Sequence, residues 1–537
     1  MSFNCFLLSI YFYLFGFATQ TLASFSCSCN STCKVTTSTG AYRGVLDSDG
    51  VHFLSIRYAA PPTGLQRFAD PISFVPNYNI TYDASSLPPF CIQGTQDNES
   101  EDCLYLNVFR PIPVIGEAEL PVLVWIHGGS LAYGGSADPV IYGSKLAKSS
   151  NMIVVTLNYR LGVLGLFDDG SKTNFAVKDV IMALKWVRSN IALFHGKPSK
   201  ITVGGQSSGA TLVRSLMSTN KASGLFAQAI MMSDPVDFGF NTRATSYDII
   251  TSTLYNRTGC SDISCMRSLS TDSILAAQNY LYANAMAMGN GVSMSQPMVP
   301  VIDDELILAD YSVYMSNGLL PVQVPVLIGS TKDEANPTIE SVLTTPIPSA
   351  YFGPVLAEFL GEERAASIIS SGLFPIDDSV DDATRLALAH VATLFFWTCA
   401  IQTSAATLAT TYSKDVFMYE MNVGITYPSY VDLSLCQGNY VCHESDLYPL
   451  FGTFNTSAVT SAQHALSAEV QQRWSSFIKN GSPNGSHKYQ QWWPVSSAKS
   501  MNALVLGSES FQSTLFASQC AIMGNSVKFD YQLYSQS

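Results

Sequence analysis

Between Ile201 and Val213 the chain reads ITVGGQSSGATLV, and Gly205-Gln206-Ser207-Ser208-Gly209 within it is a G-x-S-x-G. A serine so placed does chemistry when a strand precedes it and a helix follows. The turn then lifts the Ser207 hydroxyl out at the strand end, and the helix N-terminus supplies free N–H groups behind it. Glycines suit a turn too tight for Cβ atoms near the neighbouring chain. The chemistry is nucleophilic attack on an acyl carbon. A neutral hydroxyl needs a general base for that, and the base needs a carboxylate to orient it.

In strand-turn-helix nucleophiles the chain order is Ser, then Asp or Glu, then His. Downstream of Ser207 lie His390, His443, His464 and His487. His443 stands in YVCHESDLYPLFG, directly after a Cys pair able to fix it. His464 and His487 sit in Ser/Ala-rich and Asn/Gly/Ser-rich stretches, which read as solvated surface. His390, in RLALAHVATLFF, reads as a helix-packing residue. HESDL lacks the second His of a zinc-protease H-E-x-x-H, so no metal is expected at His443.

The elements that must position these residues are legible. PVLVWIHGG (Pro121–Gly129) reads as a buried strand ending in a glycine loop, and NMIVVTLNYR (Asn151–Arg160) as the next strand. FAVKDVIMALKWVRSNIALF (Phe175–Phe194) has apolar residues at helical spacing. After it come the strand ITV, the Gly-Ser turn and a helix through GATLVRSLM. AQAIMMS and VPVLIGS read as further strands. The alternation predicts an α/β fold with a large, mostly parallel central sheet and helices on both faces. No linker-like segment divides the chain.

Composition narrows the function. Of 537 residues 47% are hydrophobic, and 28 Lys+Arg against 41 Asp+Glu give a net charge of −13. No basic cluster exists, which argues against nucleic acid or an anionic membrane as partner. Phe6–Phe17 is an apolar run of signal-peptide length, followed by Thr21-Leu22-Ala23 with small residues at the cleavage positions. Residues 1–23 are therefore expected to be a signal peptide and 24–537 the mature domain, secreted and without a stable membrane anchor. Beyond Phe17 the sequence reading finds no second long apolar run. Cys91/Cys103, Cys260/Cys265 and Cys436/Cys442 are short-range pairs that suit loop-closing disulfides in an oxidising compartment. Twelve Cys less Cys5 leave eleven, so one of Cys27, Cys29 and Cys33 is expected to be unpaired or bonded to another chain. Asn-x-Ser/Thr sequons at Asn30, Asn79, Asn98, Asn256, Asn455, Asn480 and Asn484 are glycosylation candidates.

Eight segments together resemble the type-B carboxylesterase and cholinesterase-like lipase family of the α/β-hydrolase fold. RYAAPPTGLQRF, SEDCLYLNVFRP, VWIHGGSLAYGG, VTLNYRLGVLGLF, ALKWVRSNIALFHGKPSKITVGGQSSGA, PVIDDEL, PVLIGSTKDEA and CHESDLYPLFG occur in the family's order, from about Arg57 to Cys520. The resemblance implies Ser207 as nucleophile, His443 as base and Glu334 as the orienting acid, with Asp333 its rival. It implies an oxyanion hole from the N–H groups of Gly129, Ser130 and Ser208, with no cofactor. It makes the three short Cys pairs disulfides, adds Cys399–Cys520, and gives Arg67–Glu101 and Arg160–Asp179 as structural ion pairs. Ser130, Gln206, Ser208, Ala335 and Glu444 depart from the family pattern. A Cβ at position 130 is strained if that position needs positive φ.

The activity implied is hydrolysis of a small-molecule or lipid carboxylic ester. The alternatives are an interfacial lipase or sterol esterase of the same family, and a non-catalytic cholinesterase-like adhesion protein. A lid that opens onto oil needs an amphipathic helix with a broad apolar face. The Cys91–Cys103 loop, CIQGTQDNESEDC, has only Ile92 as a strongly apolar residue, so a site open in solution is expected. Met286, Met288, Met294 and Met298 read first as core filling and second as a pliable acyl-pocket wall.

Overall fold

The computed structural model describes residues 25–27, 32–112, 119–236, 239–288, 296–377, 379–485, 488–495 and 502–523. The signal-peptide reading at 1–23, Cys29, Asn30, Met294 and His487 lie outside the described residues, as does the Met286 side chain.

A 14-stranded sheet runs through the protein. Its strands are β1 (Phe25–Cys27), β2 (Thr32–Thr37), β3 (Gly40–Leu46), β4 (Gly50–Arg57), β5 (Tyr105–Pro111), β6 (Leu120–Ile126), β7 (Ile153–Leu157), β8 (Gly196–Gln206), β9 (Gln228–Met232), β10 (Val326–Thr331), β11 (Val416–Met421), β12 (Ala503–Leu506) and β13 (Phe511–Ser513). The spatial order is β1-β2-β3-β4-β5-β7-β6-β8-β9-β10-β11-β12-β13, with Thr81–Asp83 added beside β3. From β7 to β12 every pairing is parallel. The hairpins at either end are antiparallel. The expected sheet is therefore present, with an antiparallel N-terminal third that the sequence reading did not resolve.

Parallel strands are covered on both faces, which is why they read as unbroken apolar runs. In β6, Val122, Val124 and Ile126 enter one core while Leu123 and Trp125 enter the other. β10 divides likewise, with Val326 and Ile328 on one face and Leu327 on the opposite one. Helix α1 (Phe175–Asn190) covers the first face through Val180, Leu184 and Val187. Helix α2 (Ser208–Met217) follows β8. Helix α3 spans Ala383–Thr411 with a π-helical turn at Leu394–Thr398. Helix α4 (Ser461–Asn480) closes the second face and starts with a Thr460/Gln463 capping box.

α3 corrects the sequence reading. It is long and apolar enough to cross a membrane, and most of its apolar window is buried inside the protein. It is a core helix whose apolar residues lie on more than one side. That breaks the single stripe by which a buried helix is otherwise recognised.

Disulfides join Cys91–Cys103, Cys260–Cys265, Cys399–Cys520 and Cys436–Cys442. Cys33 is also disulfide-bonded, and it faces Cys27 in the β1–β2 register. Arg67 pairs with Glu101 at 2.6 Å and Arg160 with Asp179 at 2.7 Å. A third buried pair, Arg214–Asp234 at 3.0 Å, was not foreseen.

Candidate active site

Ser207 stands where β8 ends and α2 begins, with φ 55° and ψ −129°. That is sparsely populated backbone for a side-chain-bearing residue and costs of order 1–3 kcal/mol. The surroundings over-determine it. The Ser207 N–H donates to the Met232 carbonyl of β9 at 2.8 Å, and its own carbonyl accepts from Ala210 and Thr211 in α2. The two glycines of the motif are forced by contact. A Cβ on Gly205 would lie 2.5 Å from the Gly209 carbonyl, and one on Gly209 2.2 Å from the Ile126 carbonyl.

His443 follows the Cys436–Cys442 disulfide, and its Nδ1 lies 2.5 Å from Glu334 Oε2. Glu334 is fully buried just past β10, and its other oxygen accepts the Thr331 N–H at 2.6 Å. Asp333 is engaged elsewhere. Its carboxylate accepts the Val441 N–H at 2.8 Å and its N–H donates to the Val441 carbonyl. It therefore holds the His443 segment beside β10, while Glu334 meets the ring. Burial opposes a charge on His443, but Glu334, with help from Glu444 and Asp446, outweighs it and raises the pKa above the usual imidazole value. Asp446 is pushed up to about 7 by its own burial and by Glu334.

Gly129 has φ 106° and Ser130 φ 55°. The conditional strain at position 130 is thus real, and Leu131 at φ 55° shares it. The loop folds on itself, since the Gly129 carbonyl accepts from Ala132 and Tyr133. Among the described residues the N–H groups of Gly129, Ser130 and Ser208 have no carbonyl partner. Backbone N–H groups left free in this way are what an oxyanion hole requires. Ser208 adds its side chain, because Oγ accepts the Leu131 N–H at 3.0 Å. Helix α2 thereby ties down the glycine loop.

Comparison with known proteins bears on the same constellation. The family model described as "Carboxylesterase family" matches residues 31–523. The chain belongs to the carboxylesterase family. This carboxylesterase is 29% identical over 469 residues to carboxylesterase 1D of Rattus norvegicus, covering 81% of each chain. It is 29% identical over 505 residues to the para-nitrobenzyl esterase of Bacillus subtilis, covering 88% of this chain and 95% of that one. A solved PNB esterase superposes with a TM-score of 0.76 at 27% identity, over 91% of this chain and 99% of the other. The fold is the α/β-hydrolase fold, and the protein is a carboxylic ester hydrolase.

Around Ser207, Glu334 and His443 of this carboxylesterase lie contacts that sequence reasoning did not find. Trp397, in the π turn of α3, sets its ring 5.6 Å from that of His443 and donates Nε1–H to the Ser233 carbonyl. π turns inside α-helices often mark functional sites. The cue available in LFFWTCA was only an aromatic cluster, which has no position until α3 is placed. Gln206 lies with Nε2 3.2 Å from His443 Nε2, the ring nitrogen facing away from Glu334. His127, which precedes the glycine loop, is buried and stacked on Tyr159, and burial lowers its pKa to about 4. It is a neutral packing residue at working pH.

The loop expected to lack a lid helix has none. The Glu99 carboxylate accepts the N–H groups of Gln93, Gly94, Thr95 and Gln96 at 2.7–2.9 Å. Phe90–Cys91 pairs with Glu99–Ser100 to close it. Of the methionines, Met298 is buried and Met288 packs against the core.

Proposed function

We propose that the protein hydrolyses carboxylic esters through an acyl-enzyme on Ser207. His443, held by Glu334, takes the Ser207 proton as the hydroxyl attacks the ester carbonyl. The tetrahedral oxyanion rests on the N–H groups of Gly129, Ser130 and Ser208. His443 then protonates the leaving alcohol. Water attacks the acyl-Ser207 with His443 again as base, releasing the acid. The observation carrying this reading is the 2.5 Å His443–Glu334 contact, with His443 Nε2 reaching 3.2 Å from Gln206, the residue before a serine held in a strained strand-to-helix turn. Labelling with a fluorophosphonate tests it. Wild type should gain one covalent adduct, mapped to Ser207 by mass spectrometry, and Ser207→Ala should gain none. An unlabelled wild type, or an adduct on another serine, overturns the assignment.

The same reading extends to substrate and setting. The polar, Glu99-pinned disulfide loop and the exposed Ser130 favour soluble or micellar esters of short to medium acyl chain. The disulfides Cys91–Cys103, Cys260–Cys265, Cys399–Cys520 and Cys436–Cys442, with the Phe6–Phe17 apolar run, favour passage through an oxidising compartment and secretion. Asn79, Asn98, Asn256, Asn455 and Asn480 are exposed and suited to glycan. Asn484 is the poorest acceptor of the described six. Its side chain is half-buried, with Nδ2 donating to the Trp492 carbonyl at 2.7 Å and Oδ1 accepting the Trp492 N–H.

A further inference from the structure

We infer that Gln93, in the loop closed by Cys91–Cys103, is a positioning residue that holds the oxyanion loop in register with Ser207; this rests on the acyl-enzyme reading above. Gln93 is 4% exposed. Its Oε1 accepts the Gly134 N–H at 2.9 Å, and its Nε2 donates to the Gly134 carbonyl at 3.0 Å and the Cys91 carbonyl at 3.1 Å. A side-chain amide thus pairs with both backbone groups of one glycine. The partners also fix its orientation, since a flipped amide would lose both Gly134 bonds.

Gly134 is where the loop returns to its start. Its φ is +92°, and a Cβ there would lie 2.7 Å from the Gly128 carbonyl and 2.8 Å from His127 Nδ1. Between these ends the Gly129 carbonyl accepts from Ala132 and Tyr133. A shift of Gly134 is therefore transmitted within one tight turn to Gly129 and Ser130. Gln93 is itself fixed, because its N–H is held by Glu99 and its neighbour Cys91 by the disulfide. The oxyanion loop is clamped from two sides. Ser208 grips Leu131 from the nucleophile helix, and Gln93 grips Gly134 from the disulfide loop. The polar disulfide loop is accordingly a brace for the oxyanion donors.

The test uses the full-length enzyme, p-nitrophenyl butyrate as substrate, and an alkyl trifluoromethyl ketone whose hemiketal with Ser207 places an anionic oxygen in the hole. A misplacement near 1 Å costs about 10²-fold in rate, and one lost oxyanion donor about 10²–10³-fold. Gln93→Ala, which loosens the donors without removing one, should lower kcat about tenfold with KM little changed. Ketone affinity should fall by the same factor as kcat/KM. Gln93→Glu should be rescued by acid. A protonated carboxyl can both donate to the Gly134 carbonyl and accept its N–H, whereas a carboxylate cannot donate. Activity relative to wild type at the same pH should therefore rise as pH falls. The other titratable groups facing this site, Glu99 at the Gln93 N–H and His127 against Gly134, are common to both proteins and cancel in the ratio. Unchanged kcat and ketone affinity in Gln93→Ala overturn the inference, as does a rate loss with no matching loss of ketone affinity. If Gln93→Ala does not fold, the Gln93→Glu ratio decides, and a pH-independent ratio overturns it. A wild type that hydrolyses no ester and takes no label at Ser207 fells the acyl-enzyme reading first, and this inference with it.

Discussion

Ser207→Ala removes one oxygen from a turn that backbone contacts hold in place, so folding should survive while turnover falls by about 10⁴- to 10⁶-fold. Steady-state rates beside an unchanged thermal midpoint check this. Glu334→Gln should cost about 10⁴-fold, less than His443→Ala, because the base remains though badly oriented. Near-normal activity in Glu334→Gln would return the role to Asp333, despite its bonds to Val441. The pH profile follows from His443. Only the neutral ring accepts a proton, and Glu334 raises its pKa, so activity is lost on acidification through a midpoint above 6.5. Glu444 also raises it. Glu444→Gln should therefore move that acid limb to lower pH, and a shift upward would refute the sign. The strand-to-helix turn at Ser207 was legible as a local motif, and the Glu334–His443 contact was expected from the family resemblance. Gln93 and Trp397 were not, since their partners Gly134 and His443 are 41 and 46 residues away and meet them only through the sheet.

At the scale of elements, β6 to β10 were legible because they are buried on both faces and mostly apolar, whereas β11 and β12, equally buried, were not read. β8 shows the limit. ITV marks its buried centre, yet the strand runs from Gly196 to Gln206, and its polar start is held by a register shift against β6. The Cys91–Cys103 loop was read correctly as lacking an apolar face. Its rigidity was hidden, because nothing in QGTQDNE announces that Glu99 will gather four backbone N–H groups. A loop so pinned makes a poor lid, because opening it would break these bonds. Rate against p-nitrophenyl ester concentration should saturate smoothly across the solubility limit. A jump in rate when droplets form would contradict it and turn attention to the segment after Met288.

At the scale of the whole molecule, the two most different disulfides test what holds the C-terminal region to the rest. Cys399–Cys520 joins α3 to the chain end across 121 residues, while Cys260–Cys265 spans five. A cross-link stabilises mainly by removing conformations from the unfolded chain, and the effect grows with the logarithm of the loop it closes. The two loops differ by about 3 kcal/mol on that account. All four sulfur-bearing residues sit in contact with the same large core, and Cys399, Cys520 and Cys260 are buried. Replacing each pair by Ala therefore removes similar packing, and the loop term decides. Denaturant unfolding should show the Cys399/Cys520 double-alanine variant less stable than the Cys260/Cys265 one by about 2–3 kcal/mol. Equal losses would mean that the unfolded chain already keeps α3 and the C-terminal segment together. The sheet hydrogen bonds that β11 and β12 share would then be the ones to examine for residual structure.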